Sequence, residues 1–345
     1  MLGALALARF LVSNLGARDP AGRPPSGLVG WDASWYLRII ESGYDNLPWE
    51  SLRFFPLLPL LAKPFAPVLG ARLALLLIVN IAALGAGILI ERLARFETGD
   101  RSTASRAAWF LAFFPPAFVL VMGYAESLLI FFGLATFLAL RKERWGWAIA
   151  MGLLAGLSRP LGVLLFLPAA IEAARHFSRA RPGERLTRLA AAVAPGVGGL
   201  AYLGWSWVAY GDPLRPLRLQ QEFDRRGGFE FPVTRLIDAA RQLADGADLG
   251  SGLHFPWAIG FLALLGVSFR RWPVSYGAFA AAVMIVATSA ANLDSLERYG
   301  LSAFPLILAL AGLLRTPWLE RTGLVLVTVG LTTYATLAFL GAYVP

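Results

Sequence analysis

The chain has 345 residues, of which 57% are hydrophobic and 15% charged, and its mean hydropathy is +0.61. A soluble domain carries roughly 25% charged residues, so the composition excludes an ordinary soluble protein. Without cysteine the chain has no disulfide and no thiolate metal site, and its two histidines, far apart in sequence, argue against a His-based zinc site.

The first predicted element, residues 1–16, is an apolar helix with Arg9 in its middle. It lacks a basic region ahead of the apolar run and a small-residue cleavage site, so we interpret it as a membrane helix rather than a signal peptide. Residues 18–72 form a long polar and aromatic loop. Within it, 33–42 is predicted to form a short interfacial helix, and 57–65, broken by prolines, is expected to rest at the membrane interface.

Apolar runs follow along the rest of the chain, and a run of about 20 residues crosses roughly 30 Å of hydrocarbon. A second polar loop is predicted at 210–254. The further predicted spans are 73–93, 107–121, 127–140, 145–157, 161–174, 189–209, 255–269, 273–290, 299–314 and 323–340. The sequence thus predicts an all-α, polytopic integral membrane protein with about eleven transmembrane helices in a single domain, 1–345.

The net charge of +9 orients these helices. Of the 31 Lys and Arg residues, 16 fall in the short loops 92–106, 141–144, 175–188, 270–271 and 315–321. Short Arg-rich loops face the cytoplasm, which predicts that the loops 18–72 and 210–254 face outward. The positive charge is therefore interpreted as a topology signal, and no nucleic-acid partner is expected.

Asp32 is the first candidate for chemistry, because it lies in the outward loop that follows the first helix. One interpretation is a general base that takes a proton from an acceptor hydroxyl. The other is an N-cap of the helix 33–42, which is a common position for Asp. The pattern of residues alone leaves both open.

Three further charged residues lie at outward turns between apolar helices. Arg159, in the turn 156–162, is costly in a membrane without a partner and suits forked bonding to phosphate, although it also fits an Arg that reaches lipid headgroups. Glu126 is either a site residue or a helix-start acid favoured by the helix dipole. Arg298 is either an anion-binding group or the partner of Glu297 or Asp294.

Several short motifs stand out along the chain. They are Trp31-Asp32, Gly43-Tyr44, Arg53-Phe54-Phe55-Pro56-Leu57-Leu58-Pro59, Phe113-Phe114-Pro115-Pro116, Gly123-Tyr124-Ala125-Glu126-Ser127-Leu128 and Ser158-Arg159-Pro160-Leu161-Gly162. Together these motifs resemble the PIG-V-type mannosyltransferases of the GT-C superfamily of membrane glycosyltransferases. The similarity covers roughly residues 1–170, with Glu297-Arg298-Tyr299 as the one familiar motif beyond Tyr210.

The resemblance implies a GT-C-like helical bundle with short interfacial helices in the first outward loop. It also implies a polyprenyl-phosphate sugar donor, typically carrying mannose, and Asp32 as the catalytic base. Asp32 would activate an acceptor hydroxyl for inverting attack on the sugar, while Arg159 and Arg298 bind the donor phosphate and stabilise its departing charge. The remaining expected substrate-binding residues are Trp31, Tyr124, Glu126 and Tyr299.

The expected partners are this donor, a lipid, glycan or protein acceptor, and the surrounding lipids; no cofactor and no metal site is expected. An Ala-, Leu- and Arg-rich composition poor in Lys predicts a bacterial plasma membrane protein with an outward-facing site. Two alternatives stay open: a GT-C enzyme for a different sugar, and a lipid or sugar transporter. A transporter would favour inverted repeats and a midplane site, and no clear repeat is present.

Overall fold

The computed structural model of the chain describes residues 3–4, 27–222, 226–246 and 254–341. Over these ranges the chain is helical and contains no strand, apart from one isolated antiparallel bridge between Phe229 and Ala290. Most of the first predicted span, 1–16, lies outside the described residues. The all-α class expected from the apolar runs is confirmed.

The helices with seven or more residues are numbered in chain order. They are α1 (Asp32–Ser42), α2 (Ala71–Thr98), α3 (Arg101–Phe113), α4 (Glu126–Arg141), α5 (Trp145–Ser158), α6 (Phe166–Ala174), α7 (Pro182–Tyr210), α8 (Pro232–Asp245), α9 (His254–Arg271), α10 (Val274–Thr288), α11 (Leu296–Ser302), α12 (Pro305–Leu313) and α13 (Pro317–Leu340). Shorter helical segments are Trp49–Arg53, Leu57–Ala62, Lys63–Phe65, Ala66–Leu69, Pro115–Leu120, Pro160–Leu165, Phe177–Arg179 and Arg215–Arg218.

The predicted number of about eleven transmembrane helices is not confirmed. Within the described ranges, three helices are long and apolar enough to cross a membrane, namely α2, α7 and α13. Helices α11 and α12 would form a fourth span if counted together, although they meet at an angle of 82°. Proline explains part of the difference, because it ends regular α-helix inside two predicted spans, at Pro115 and just before Pro305.

The two ends of the bundle differ in their charged groups. Helix α4 runs 16 residues, about 24 Å at 1.5 Å per residue, from Glu126 to Arg141. At the Arg141 end, the guanidinium contacts Glu97 at 2.6 Å and Glu172 at 3.0 Å. The basic loops predicted to face the cytoplasm therefore contribute to a structural ion-pair network that lies far from Glu126.

Close packing of α5 against α7 sets the position of the turn that carries Arg159. A Cβ on Gly156 would lie 2.0 Å from the carbonyl oxygen of Pro195, and a Cβ on Gly198 would lie 2.2 Å from that of Leu153. Gly162 approaches the Ala155 carbonyl equally closely. Only glycine allows these backbone-to-backbone contacts. Gly156 and Gly198 therefore bring the end of α5 against α7, and Gly162 brings the segment after Arg159 against α5.

The loop 210–254, predicted to face outward, contains a helix that the sequence did not predict. Helix α8 exposes Val233 and Ile237, while Arg235 on the same helix is buried. An amphipathic helix with an exposed apolar side is typical of a segment that lies in a membrane interface.

Candidate active site

Asp32 is the first residue of α1, and its carboxylate does not cap that helix. The residue before it, Trp31, has a φ of 55°, and no side-chain cap hydrogen bond is present at this end. A large non-glycine residue with positive φ is strained. The helix therefore begins one residue earlier than predicted, and the N-cap interpretation of Asp32 does not hold.

Helix α11 begins in the same strained way. Ser295 has a φ of 67° and directly precedes α11, which carries Arg298 on its first turn. Strained backbone residues cluster at functional sites, where the surrounding structure holds them in place. Two such residues, one before each helix, aim Asp32 and Arg298 at each other.

The turn before α4 packs against the start of α1, at Asp32. The backbone N–H of Asp32 donates to the hydroxyl of Tyr124 at 3.3 Å, and Tyr124 is fully buried. A Cβ on Gly123 would lie 2.6 Å from a Leu75 side-chain carbon, so Leu75 would have to shift to admit a larger residue in this turn. Glu126 follows at the start of α4, with none of its surface exposed.

Four charged side chains predicted separately form one continuous chain. Nη1 of Arg298 donates to Oδ2 of Asp32 at 2.8 Å, and Nε of Arg298 lies 3.1 Å from Oε1 of Glu126. The guanidinium of Arg159 forms an ion pair with the same oxygen of Glu126. The pairing of Arg298 with Glu297 or Asp294, considered from sequence, is replaced by pairing with Asp32 and Glu126.

This arrangement keeps Asp32 ionised. Burial by itself opposes ionisation, but the contact with Arg298, with smaller contributions from Arg159 and Arg53, holds the pKa of Asp32 below its ordinary value. The carboxylate is therefore negatively charged at neutral pH.

A cavity of about 160 Å³ opens directly onto these groups. Its walls carry cationic, acidic and aromatic side chains together. The lining residues are Asp32, Tyr36, Arg53, Phe54, Phe55, Arg159, Pro160, Gln220, Arg226, Asp294, Ser295, Arg298 and Tyr299.

A larger and more apolar cavity of about 480 Å³ continues from the first one. The two share Arg159, Pro160, Gln220, Arg226 and Tyr299. Beyond this shared wall the lining is largely aliphatic and aromatic, with Leu161, Leu217, Phe229, Ile285 and Val286 among its residues. A charged chamber is therefore joined to an apolar one, with arginines at the junction.

Sequence reasoning missed Arg226, which lies at this junction. Its Nη1 donates to the Tyr299 hydroxyl at 2.7 Å, and its Nη2 donates to the carbonyls of Val286 and Ala287. Arg226 belongs to no motif, so no sequence signal marked it. Arg53, which also lines the charged cavity, lies within a recognised motif, but no role was assigned to it.

The remaining predicted site residues take different positions. Tyr299 lines both cavities. Trp31 lies beside the site, where its indole N–H donates to the Ala338 carbonyl at 3.1 Å. Tyr124 lies beneath Asp32, and Glu126 lies behind the two arginines; neither is among the residues that line the two cavities.

His254, the first residue of α9, is buried. Its Nδ1 lies 2.8 Å from Glu297 and its Nε2 lies 3.7 Å from Asp294, which lines the charged cavity. Although burial alone would lower it, hydrogen bonding and charge interaction with these two carboxylates raise the pKa of His254 to about 9. Over the described ranges, no cluster of three or more His, Cys, Asp or Glu residues is arranged to hold a metal ion.

Comparisons with known proteins agree with the motifs. Residues 18–171 match the family model described as mannosyltransferase (PIG-V). The structure of ArnT from Cupriavidus metallidurans, solved bound to undecaprenyl phosphate, aligns with a TM-score of 0.54 and 15% identity over 99% of this chain and 76% of ArnT. At this identity the likeness shows the fold alone. No curated protein matches the chain.

The archaeal oligosaccharyltransferase AglB from Archaeoglobus fulgidus, solved with an inhibitory peptide and a dolichol-phosphate, has a TM-score of 0.46 and 16% identity over 99% of this chain. This chain spans about half of AglB, 55% of its length. Residues 18–171 are therefore similar to the PIG-V mannosyltransferases, and the chain as a whole has a helical fold like that of ArnT.

Proposed function

We propose that the chain transfers a sugar, with mannose as the first candidate, from a polyprenyl-phosphate donor to an acceptor hydroxyl. The observation that carries the proposal is the ion-pair chain from Asp32 through Arg298 and Glu126 to Arg159, on the wall of a cavity that opens into an apolar chamber. A polyprenyl-phosphate sugar matches these two cavities, because it has an anionic polar head and an apolar tail.

In this proposal the phosphate lies at the junction of the two cavities. Arg159 and Arg226 line both cavities, and Arg298 lines the charged one. Guanidinium groups bind phosphate oxygens with forked, charge-assisted hydrogen bonds. The prenyl chain would then follow the apolar cavity past Ile285 and Val286, which reach the outer surface of the helix bundle.

Asp32 then acts as the general base. Its side chain is 35% exposed, which leaves the carboxylate accessible from the cavity. The carboxylate accepts the proton of the acceptor hydroxyl as that oxygen attacks the anomeric carbon from the side opposite the phosphate, which inverts the configuration there. The arginines stabilise the negative charge that develops on the departing phosphate.

Glu126 acts through the arginines in this proposal. It is fully buried and contacts both Arg159 and Arg298, so it holds two cations close together that would otherwise repel. We assign it a positioning role. The acceptor is a hydroxyl on a lipid, glycan or protein, the site faces outward from a bacterial plasma membrane, and no cofactor beyond the lipid-linked donor is proposed.

The test is sugar transfer by purified protein from radiolabelled polyprenyl-phosphate mannose to a panel of lipid, glycan and peptide acceptors. Removing a general base lowers rates by about 10²- to 10⁴-fold, so Asp32→Asn should lose transfer on that scale. Asp45→Asn is the matched control, because Asp45 is an exposed acid of the same loop whose carboxylate accepts from Tyr210 outside the cavity.

The outcomes separate the candidate functions. Transfer from another prenyl-phosphate sugar but not from the mannose donor would change the substrate and keep the site. Equal transfer by wild type and Asp32→Asn would remove the proposed base. Absence of transfer with every donor, together with donor movement across proteoliposome membranes, would favour the transporter.

A further inference from the structure

The carboxylate of Asp32 occupies the guanidinium edge that a donor phosphate needs. Nη1 of Arg298 donates to Oδ2 of Asp32 at 2.8 Å, and Nη2 of the same group donates to Ser295 at 3.3 Å. Both groups lie on the wall of the charged cavity. An anion that enters this cavity therefore competes with Asp32 for Arg298.

The two anionic partners of Arg298 differ in how readily they can be displaced. Glu126 lies behind the guanidinium on its Nε side, is fully buried, and is shared with Arg159. Asp32 lies on the cavity side and is 35% exposed. The contact with Asp32 can be reached from the cavity, whereas Glu126 does not line it, so the contact with Asp32 is the one that an incoming anion can replace.

Charge balance permits such an exchange. Asp32, Glu126, Arg159 and Arg298 carry two negative and two positive charges, so the ion-pair chain is neutral without a ligand. A bound phosphate adds negative charge to the site. If Arg298 stayed paired with Asp32, that guanidinium would not be available to bind the phosphate. Moving Arg298 from the carboxylate to the phosphate keeps an ion pair in the site.

We propose that Arg298 is an exchangeable anion site, held by Asp32 in the free protein and by the donor phosphate in the complex, so that donor binding itself releases the catalytic base. This inference rests on the proposed function and adds an order of events, in which the donor binds before Asp32 can act as a base. Before the donor binds, Asp32 is engaged with a guanidinium and is a poor proton acceptor. After the exchange its carboxylate is free for the acceptor hydroxyl.

The same exchange operates in reverse after transfer. The acceptor O–H bond and the bond between the anomeric carbon and the phosphate oxygen break, the new glycosidic C–O bond forms, and the proton moves to Asp32. Protonated Asp32 is neutral and cannot compete for Arg298, so the phosphate product stays bound. Once Asp32 releases its proton, the carboxylate returns to Arg298 and displaces the product.

The test measures binding of farnesyl phosphate, a short polyprenyl phosphate, to the purified full-length protein by isothermal titration calorimetry. Asp32→Asn removes the competing charge while conserving side-chain shape. We expect this variant to bind farnesyl phosphate at least about fivefold more tightly than wild type, which corresponds to about 1 kcal/mol, although it transfers no sugar.

Two controls distinguish competition between Asp32 and the phosphate for Arg298 from a general effect of removing negative charge. Asp294→Asn removes an acid from the same cavity whose carboxylate contacts Asn292 and His254 rather than Arg298, and it should change the affinity less than twofold. In an Arg298→Gln background, adding Asp32→Asn should give no gain. Thermal unfolding of each variant verifies that it is folded.

Each outcome decides a different question. Wild-type binding without any gain in Asp32→Asn overturns the exchange and leaves the donor class standing. An equal gain in Asp294→Asn also overturns it, because the effect would then be one of bulk charge. If neither wild type nor Asp32→Asn binds farnesyl phosphate, both the polyprenyl-phosphate donor and the exchange are wrong.

Discussion

Asp32 and Arg298 are 266 positions apart in the chain, yet their charged atoms lie 2.8 Å apart. Each was recognised from sequence for its own reason. Asp32 was chosen for its place in the loop after the first helix, and Arg298 was chosen because a guanidinium can bind an anionic ligand. That they are partners could not be predicted, because a charge in a membrane protein requires a partner but does not indicate which one. The chemistry of single residues identified Asp32 and Arg298 as candidate site residues, and only the tertiary structure showed that they form a pair.

His254 provides a prediction about pH at the scale of one residue. Its pKa is raised to about 9 by Asp294 and Glu297, with Arg235 and Tyr334 also close to those carboxylates. A group whose folded pKa is raised contributes stability that is complete below the unfolded value of about 6.5 and is lost as pH rises through about 9. The described structure is therefore expected to lose this contribution in mild alkali.

The measurement is the thermal unfolding temperature of wild type and His254→Gln in detergent between pH 6 and pH 10. Wild type should be the more stable protein at pH 6, and the difference between the two should shrink as the pH passes 9. A difference that stays constant across this range would show that His254 contributes by packing alone.

At the scale of elements, the site depends on how helices begin and where glycine lets them touch. Helices α1 and α11 both follow a strained residue, and α5 ends against α7 because glycine leaves no side chain between them. The sequence located the turn 156–162 and its arginine correctly. The packing that holds the turn involves Pro195 and Gly198 on α7, and no pattern within the turn points to them.

Gly156→Ala tests this packing. The new Cβ would lie 2.0 Å from the Pro195 carbonyl oxygen, so α5 must shift and move Arg159 with it. Overpacking of this kind costs about 1–3 kcal/mol, and we expect a lower unfolding temperature together with weaker donor binding. Both are measured on purified protein.

Gly146→Ala is the matched control, because it lies in the first turn of the same helix and its Cβ would meet nothing within 4 Å. Alanine is the better helix former, so this variant should be as stable as wild type or slightly more so. If Gly156→Ala behaves like Gly146→Ala, the close contact between α5 and α7 does not position Arg159.

At the scale of the whole molecule, the two ends of the bundle carry different chemistry. One end holds the two cavities and the Asp32–Arg298 pair, and the other holds Arg141 with Glu97 and Glu172. Arg-rich short loops predict that the second end faces the cytoplasm. The proposed outward site follows from that orientation.

The absence of cysteine from the sequence makes the orientation directly measurable. Single cysteines placed at Asn46, exposed in the loop 18–72 that carries Asp32, and at Ser178, exposed in an Arg-rich loop, give one reporter for each group of loops. A membrane-impermeant maleimide applied to intact cells should label Asn46→Cys and should label Ser178→Cys only after the membrane is opened. The reverse pattern would contradict the outward site.

The sequence by itself determined the class of the protein and the residue types of its site. Composition and apolar runs indicate a helical membrane protein, and short motifs carry the similarity of residues 18–171 to the PIG-V mannosyltransferases, because both signals are local in the chain. The number of helices long enough to span, the helix α8, the position of Arg226 and the pairing of Asp32 with Arg298 were decided only by the tertiary structure. Each of these depends on contacts between distant segments or on where proline and glycine permit a helix to break or approach, and apolar periodicity does not encode them.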